Sequence, residues 1–471
     1  DTCVIDRVGD GGLVGWCRAH ASTPSERDTR YEESSQHLSA DMSSEVASKK
    51  RGRGAGPNLP RDDHALTLHF DVNETIMVGD PAGGDSFEDC LNKMICKASF
   101  VRPNPSASKD AAGRWSDWVW HDGSPLDPLK RTAGAPMPAL LFPWDDVPTG
   151  AVQCYNVPEL KKPFSKKFAC AGSPGEVFVS ELEKLRAALR WPSDAPEDER
   201  FSQQGYQVIV PAFFHALTQL AKSQRRVKVV LRTFGTDLPR IAAAISGFAN
   251  GEHPLWLGQR LPALKLCGSE LWTGRYSDSG SFSLVRNMDD GSDGTLAIQL
   301  EHEIDEELSA LPPGAQPSAK KVAVGNGTRE SSEVGDTCES AIAIRGVQDH
   351  YDYWKAAKYS PSSGKPLWWT IDEGTTHPIF FDDNIHNDPF DSIVAVRARV
   401  SPEAPFAPLS GEMTARLHGA VLRKVYTVQA IRDRDYFLKE VQAAEERLAT
   451  LRAESGGLLD QLRDLLPKVT P

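Results

Sequence analysis

Cysteine is sparse, eight in 471 residues, at positions 3, 17, 90, 96, 154, 170, 267 and 338. No two stand in C-x-x-C spacing, and a chain this long needs no covalent staples to fold. A zinc ribbon and a disulfide scaffold are therefore not indicated, and free thiols in a reducing compartment are expected. Long apolar runs are missing as well. None approaches the ~20 residues that span a bilayer, so no membrane partner is expected. Basic residues are outnumbered, 53 Lys+Arg against 65 Asp+Glu, for a net charge of −12. That balance argues against a protein that coats nucleic acid. No apolar leader-type segment stands near Asp1, and the chain does not start with Met. A cytoplasmic location is the default expectation. The basic run Lys49-Lys50-Arg51-Gly52-Arg53 leaves the nucleus open, although such runs are more often solvated tail.

The length suggests two or three domains, or one domain with large insertions. Residues 1–62 are Ser-, Arg- and Gly-containing without periodicity and read as an unstructured tail. Ala65 to Phe70 then reads as the first strand, running into His69-Phe70-Asp71-Val72-Asn73-Glu74-Thr75. Ile76 to Val78 reads as a short strand before a Gly/Pro turn. Those glycines match neither G-x-G-x-x-G nor the P-loop, so no nucleotide cradle is predicted. Ser86 with Asp89 approximates a capping box for a helix over Phe87 to Phe100. Residues 101–175 are Pro-, Gly- and Trp-rich, suited to an irregular insert core or to a stacking pocket.

Val179, Leu182, Leu185 and Leu189 mark an amphipathic helix, and a second begins at Pro211. Val227 to Leu231 reads as a strand, ending in Arg232-Thr233-Phe234-Gly235-Thr236-Asp237. A helix carrying Leu238, Ile241, Ile245 and Phe248 follows. Helix–strand–helix order implies parallel strands joined by crossovers. Residues 255–300 are mixed, with strand-like runs at Ser281 to Val285 and Thr295 to Leu300, and 309–337 read as a mobile loop. A helix is expected over Val347 to Lys358. Strands are expected at Pro366 to Ile371, Pro378 to Phe381 and Ser392 to Val400. The C-terminal segment is read as helical. Its stripe Leu438, Val441, Ala444, Leu448 and Leu451 suits either its own domain or a partner helix through 436–466.

Three strand ends thus carry polar residues: Asp71, then Thr233, then Asp382 with Asp383, preceded by Lys365 after Gly364. Carboxylates beyond the carboxyl ends of strands sit where open α/β sheets bind ligands. Each residue has a duller role as a turn former or cap; the joint order is what stands out. It resembles the haloacid dehalogenase (HAD) superfamily of aspartate-nucleophile phosphotransferases. The resemblance covers the four motif regions, about a quarter of the chain.

That resemblance implies a three-layer Rossmann-like α/β core built from 63–78, 206–251 and 346–400. It implies a first cap insert at 79–205, a second insert at 252–345, and a helical segment at 401–471 outside the core. It implies a Mg²⁺ cofactor and a small phosphorylated substrate. Asp71 would be the nucleophile. Asp71, the Asn73 carbonyl, Asp382 and Asp383 would be metal ligands, with Asp388 as an outer ligand. Thr233, Gly235 and Lys365 would bind the phosphate, with Lys355 or Lys358 as alternatives for the lysine. Phosphoryl transfer suits such a set, because positioning and charge stabilisation do most of the work.

One departure matters. Family phosphatases usually carry a second aspartate as general acid and base where this chain has Asn73. An amide cannot shuttle protons. Glu74 or a cap residue could serve instead, although Glu74 should point the opposite way from Asn73. The alternative expectation is a weak or inactive phosphate-binding scaffold of the same fold. A third, a metal-dependent glycosyltransferase, rests on Phe380-Phe381-Asp382-Asp383 and is opposed by the mostly helical residues that follow.

Overall fold

The computed structural model describes residues 65–80, 83–107, 115, 117–142, 147–223, 225–266, 268–287, 293–309, 341–372, 376–385, 390 and 392–468. All of these fall in one unit, Pro57–Pro471. The expected tail at 1–62, the basic run at 49–53, almost all of the expected 309–337 loop and Asp388 lie outside the described residues.

The first strand, β1 (Ala65–Asp71), is buried along its whole length. Such two-sided burial is the mark of a central strand in a parallel sheet. Helix α1 (Phe87–Ala98) starts at Ser86, where the capping box forms as expected. Such a cap is worth about 1 kcal/mol. Helix α2 is Val179–Leu189 and α3 is Pro211–Lys222, with Pro211 at its first turn. Strand β2 (Val227–Thr233) and α4 (Leu238–Asn250) follow, and Gly251 ends α4 in the left-handed conformation. Strands β3 (Leu271–Tyr276), β4 (Phe282–Asn287) and β5 (Asp293–Ile298) precede α5 (Glu301–Ser309). Then come β6 (Ile342–Gln348), α6 (Tyr351–Ala356), β7 (Lys365–Thr370), β8 (Thr376–Asp382) and β9 (Val394–Arg399). Strand β10 (Leu422–Lys424) and helices α7 (Thr427–Arg432), α8 (Tyr436–Ala453) and α9 (Leu458–Leu465) complete the chain.

The fold is mixed α/β around an 8-stranded sheet in the order β5-β4-β3-β6-β2-β1-β8-β10. Pairings from β3 through β10 are parallel, whereas β3-β4 and β4-β5 are antiparallel. Strand β2 lies on one side of β1 and β8 on the other, in register. The chain therefore leaves β1 in one direction and later returns on its opposite edge. Such a reversal marks the carboxyl end of β1 as the place where open α/β sheets bind ligands.

One face of β1 (Leu66, Leu68, Phe70) joins the largest apolar core with residues of α1, α2, α3, α4, α7 and α8. Phe70 stacks on Phe381 at 4.8 Å and meets Phe213 and Phe437 edge-on. The other face is covered differently. A three-stranded sheet formed by β7, β9 and Ala407–Pro408, together with α5, packs there.

Three local features depart from expectation. The stretch read as a helix from Val347 is strand through Gln348, and only Tyr351–Ala356 is helical. Cross-strand pairing of Gly346, Val347 and Gln348 with both neighbours outweighs the local periodicity. Residues 76–78 make only isolated bridges, because the chain doubles back after Asp71. Residues 252–345, read as a second insert, contribute β3–β5 to the central sheet. The α8 stripe Leu438, Val441, Ala444, Leu448 and Leu451 is buried against its own chain. Among the described residues Cys90, Cys96, Cys154 and Cys170 are free, and no helix is long and apolar enough to cross a membrane.

Candidate functional site

Asp71 ends β1, Thr233 ends β2 and Asp382 ends β8. Parallel pairing in register brings these three ends together. Lys365 comes from outside the main sheet, as the first residue of β7. Its Nζ donates to Asp71 Oδ1 and, at 2.9 Å, to Asp382 Oδ2. The ammonium also lies 4.9 Å from the centre of the Phe234 ring. Lys355 and Lys358 are exposed, so Lys365 is the lysine that reaches the strand ends.

Local backbone explains how Lys365 arrives there. A Cβ on Gly364 would stand 2.3 Å from the Ile393 carbonyl oxygen, so only glycine permits this approach of the two strands. Lys365 N–H then donates to that same carbonyl at 2.7 Å, and Tyr276 Oη donates to the Gly364 carbonyl at 2.9 Å. A second anchor is Arg232, which is fully buried. Its guanidinium grips Asp349 through two nitrogens and donates to the Pro366 carbonyl at 2.9 Å and to His69 Nδ1 at 3.2 Å.

The acidic side is tied together through Thr75. Its hydroxyl lies 3.1 Å from Asp71 Oδ2 and accepts the Asp383 N–H at 3.1 Å. Asn384 donates its backbone N–H to Asp382 Oδ1 at 2.8 Å and its side-chain amide to Asp383 Oδ1 at 3.0 Å. Lys97, from α1, donates to Asp383 Oδ2 and, at 2.7 Å, to Glu74 Oε2. Lys93, one turn earlier, holds Glu74 and Asp85. Glu74 adopts a left-handed backbone (φ 58). That turns its carboxylate away from Asn73 into this lysine pair.

Asn73 points elsewhere. Its amide donates to Asp237 Oδ2 at 3.0 Å, and its carbonyl oxygen accepts the Thr233 hydroxyl at 3.0 Å. Thr233 Oγ1 in turn accepts the Gly235 N–H at 2.9 Å. Asn73 is thus a clamp between the loop after β1 and the loop after β2. Asp237 stands one hydrogen bond beyond it, a carboxylate just before α4 to which the sequence assigns no site role.

The cluster is closed. Relative exposure is 6% for Asp71, 0% for Asp382, 4% for Asp383 and 1% for Lys365. Asp71, Asp382 and Asp383 offer carboxylate oxygens that all lie within 4.8 Å of one another. Burial pushes the Asp71 carboxyl well above its usual range, and Asp382 and Asp383 add to the rise against Lys365. Burial alone would pull Lys365 down, but Asp382 and Asp71 outweigh it and hold the ammonium above the ordinary lysine range. Lys424, whose Nζ donates to the Asp383 and Ile385 carbonyls, is brought down to about 8 by burial. The centre therefore sets three buried carboxylates against the neighbouring Lys365, Lys97 and Lys424.

No family model, no curated protein and no solved structure matches this chain. The residues themselves carry what can be said of its function.

Proposed function

We propose that the protein is a phosphohydrolase of HAD type, dependent on Mg²⁺ and acting through an aspartyl-phosphate on Asp71. One observation carries this reading. Asp71 stands at the carboxyl end of a central strand, flanked by Thr233 on one neighbour and the Asp382–Asp383 pair on the other, with Lys365 bound to it. In this reading Asp71 attacks phosphorus, and water later cleaves the acyl phosphate. Lys365 orients Asp71 and neutralises a phosphoryl oxygen.

The donor set fits a hard divalent cation. Three buried carboxylates share one small volume, the oxygen-rich set of donors that such a cation takes. Asp71, Asp382 and Asp383 would hold Mg²⁺, which would shield the approach of two anions to each other. Residues 79–205 would form the cap; they supply α1, whose Lys97 already reaches Asp383.

A second reading is favoured by Asn73. Its amide is occupied on both sides and cannot move a proton, which suits a protein that binds phosphate and turns it over slowly. The two readings separate on p-nitrophenyl phosphate, whose leaving group departs without protonation. Hydrolysis that requires Mg²⁺ and disappears in Asp71→Asn supports the enzyme. Silence from the folded wild type, with phosphate binding retained, supports the scaffold.

A further inference from the structure

A cavity of about 150 Å³ lies on the same face of β1 as Asp71, two and four residues earlier along the strand. Thr67 and His69 of β1 line it, together with Asp305 of α5, Trp368 and Trp369 of β7 and Arg399 of β9. Two of its polar atoms, Thr67 Oγ1 and Trp369 Nε1, are buried without a hydrogen-bond partner among the described residues. Each such group left unmet costs about 1–3 kcal/mol, so something in the cavity is expected to meet them.

The lining is richer in donors than in acceptors. Trp369 Nε1 can only donate. His69 Nδ1 accepts from Arg232, which cannot deprotonate, so the proton of neutral His69 sits on its other nitrogen. Arg399 brings a full positive charge, held in place through Thr370 Oγ1 and the Pro402 carbonyl, each at 2.8 Å. Opposite it Asp305 is the acidic neighbour, with its Oδ2 3.6 Å from Arg399 Nη2. Its Oδ1 already accepts the Ser309 hydroxyl at 2.9 Å. The two tryptophans supply apolar wall.

We propose that this cavity binds a small monocarboxylate with a short apolar body. The carboxylate would accept from Trp369, His69 and Thr67 beside Arg399, and the apolar part would lie against the tryptophan rings. An apolar cavity of this size holds benzene, which sets the scale at about six to nine non-hydrogen atoms. This site stands apart from the Asp71 cluster and does not depend on phosphohydrolase activity.

Binding to the full chain is read by tryptophan fluorescence and titration calorimetry with acetate, propionate and benzoate. Propionamide and benzamide serve as uncharged controls. At least one carboxylate should saturate the protein, and its amide should bind at least about tenfold more weakly. Thr67→Val is near-isosteric and Trp369→Phe keeps an aromatic ring of smaller size; each removes one unpartnered polar atom. Each should weaken carboxylate binding by about tenfold or more, and Thr67→Val should leave the ligand-free protein no less stable. The proposal is overturned if none of the three carboxylates saturates, if amides bind as well, or if neither variant changes the affinity.

Discussion

Lys365→Met removes the ammonium that serves Asp71 and Asp382 and leaves a side chain of similar length. All three positions are essentially closed to water. Two carboxylates would then face each other, with Asp383 nearby, and no cation between them. Removing one member of a buried ion pair costs about 3–5 kcal/mol, and the upper half of that range is expected here because one ammonium serves two partners. Asp382→Asn should cost less, about 1–3 kcal/mol, since the Asn oxygen can still accept the Asn384 N–H. The double variant is the informative one. With Asp382 neutral, losing Lys365 strands one carboxylate instead of two. Its loss should fall short of the sum of the single losses by at least about 2 kcal/mol. Urea unfolding followed by tryptophan fluorescence measures all four corners of the cycle. Additivity within about 0.5 kcal/mol would refute the idea that Lys365 is the shared counter-charge.

Asn73→Asp should set two carboxylates against each other at the Asp237 contact and destabilise the fold by about 1–3 kcal/mol at neutral pH; adding Asp237→Asn restores an amide–carboxylate pair and should recover most of that loss in the same urea assay. Gly364→Ala places a methyl 2.3 Å from the Ile393 oxygen, so β7 must shift; about 1–3 kcal/mol should be lost, with phosphatase activity falling further than stability explains. His253 is buried against Trp191, Phe201 and Phe214, and burial brings its pKa down to about 4. A depressed histidine stabilises the fold above its unfolded value, and that contribution is lost as pH falls through the folded value. His253→Asn should therefore flatten the drop in stability between pH 7 and pH 4 by up to about 3 kcal/mol, read from urea midpoints at both pH values.

The parts of the site legible in the sequence share one property. Asp71, Thr233 and the Asp382–Asp383 pair each end an apolar strand, so a local pattern marks both the element and its exit. The lysine was legible only as a choice among three, because its position depends on the Gly364–Ile393 approach, a contact between distant segments. Lys97 and Lys93 gave less signal. A lysine on α1 reads as solvent-facing, and only the tertiary fold turns Lys97 onto Asp383. The Arg232–Asp349 pair joins two strands whose adjacency no local pattern specifies. Asp237 lay in plain view, but its contact with Asn73 spans 164 positions. In the fold, the parallel half of the sheet was foreseeable from helix–strand alternation. Strands β4 and β5 were readable as strand-like runs at Ser281 to Val285 and Thr295 to Leu300, but β3 and the place of all three in the central sheet were not, because antiparallel edge strands of mixed composition resemble an insert until their partner β6 is known.

The most direct measurement is chemical trapping of the phosphorylated aspartate. The wild-type protein, incubated with p-nitrophenyl phosphate and Mg²⁺, is acid-quenched and reduced with borohydride, which converts an acyl phosphate into homoserine. Peptide mass spectrometry then locates the change. Homoserine at position 71, dependent on Mg²⁺ and absent without substrate, is the predicted result. Substrate turnover without modification at Asp71, or homoserine at Asp382, Asp383 or Asp237 instead, would contradict the account.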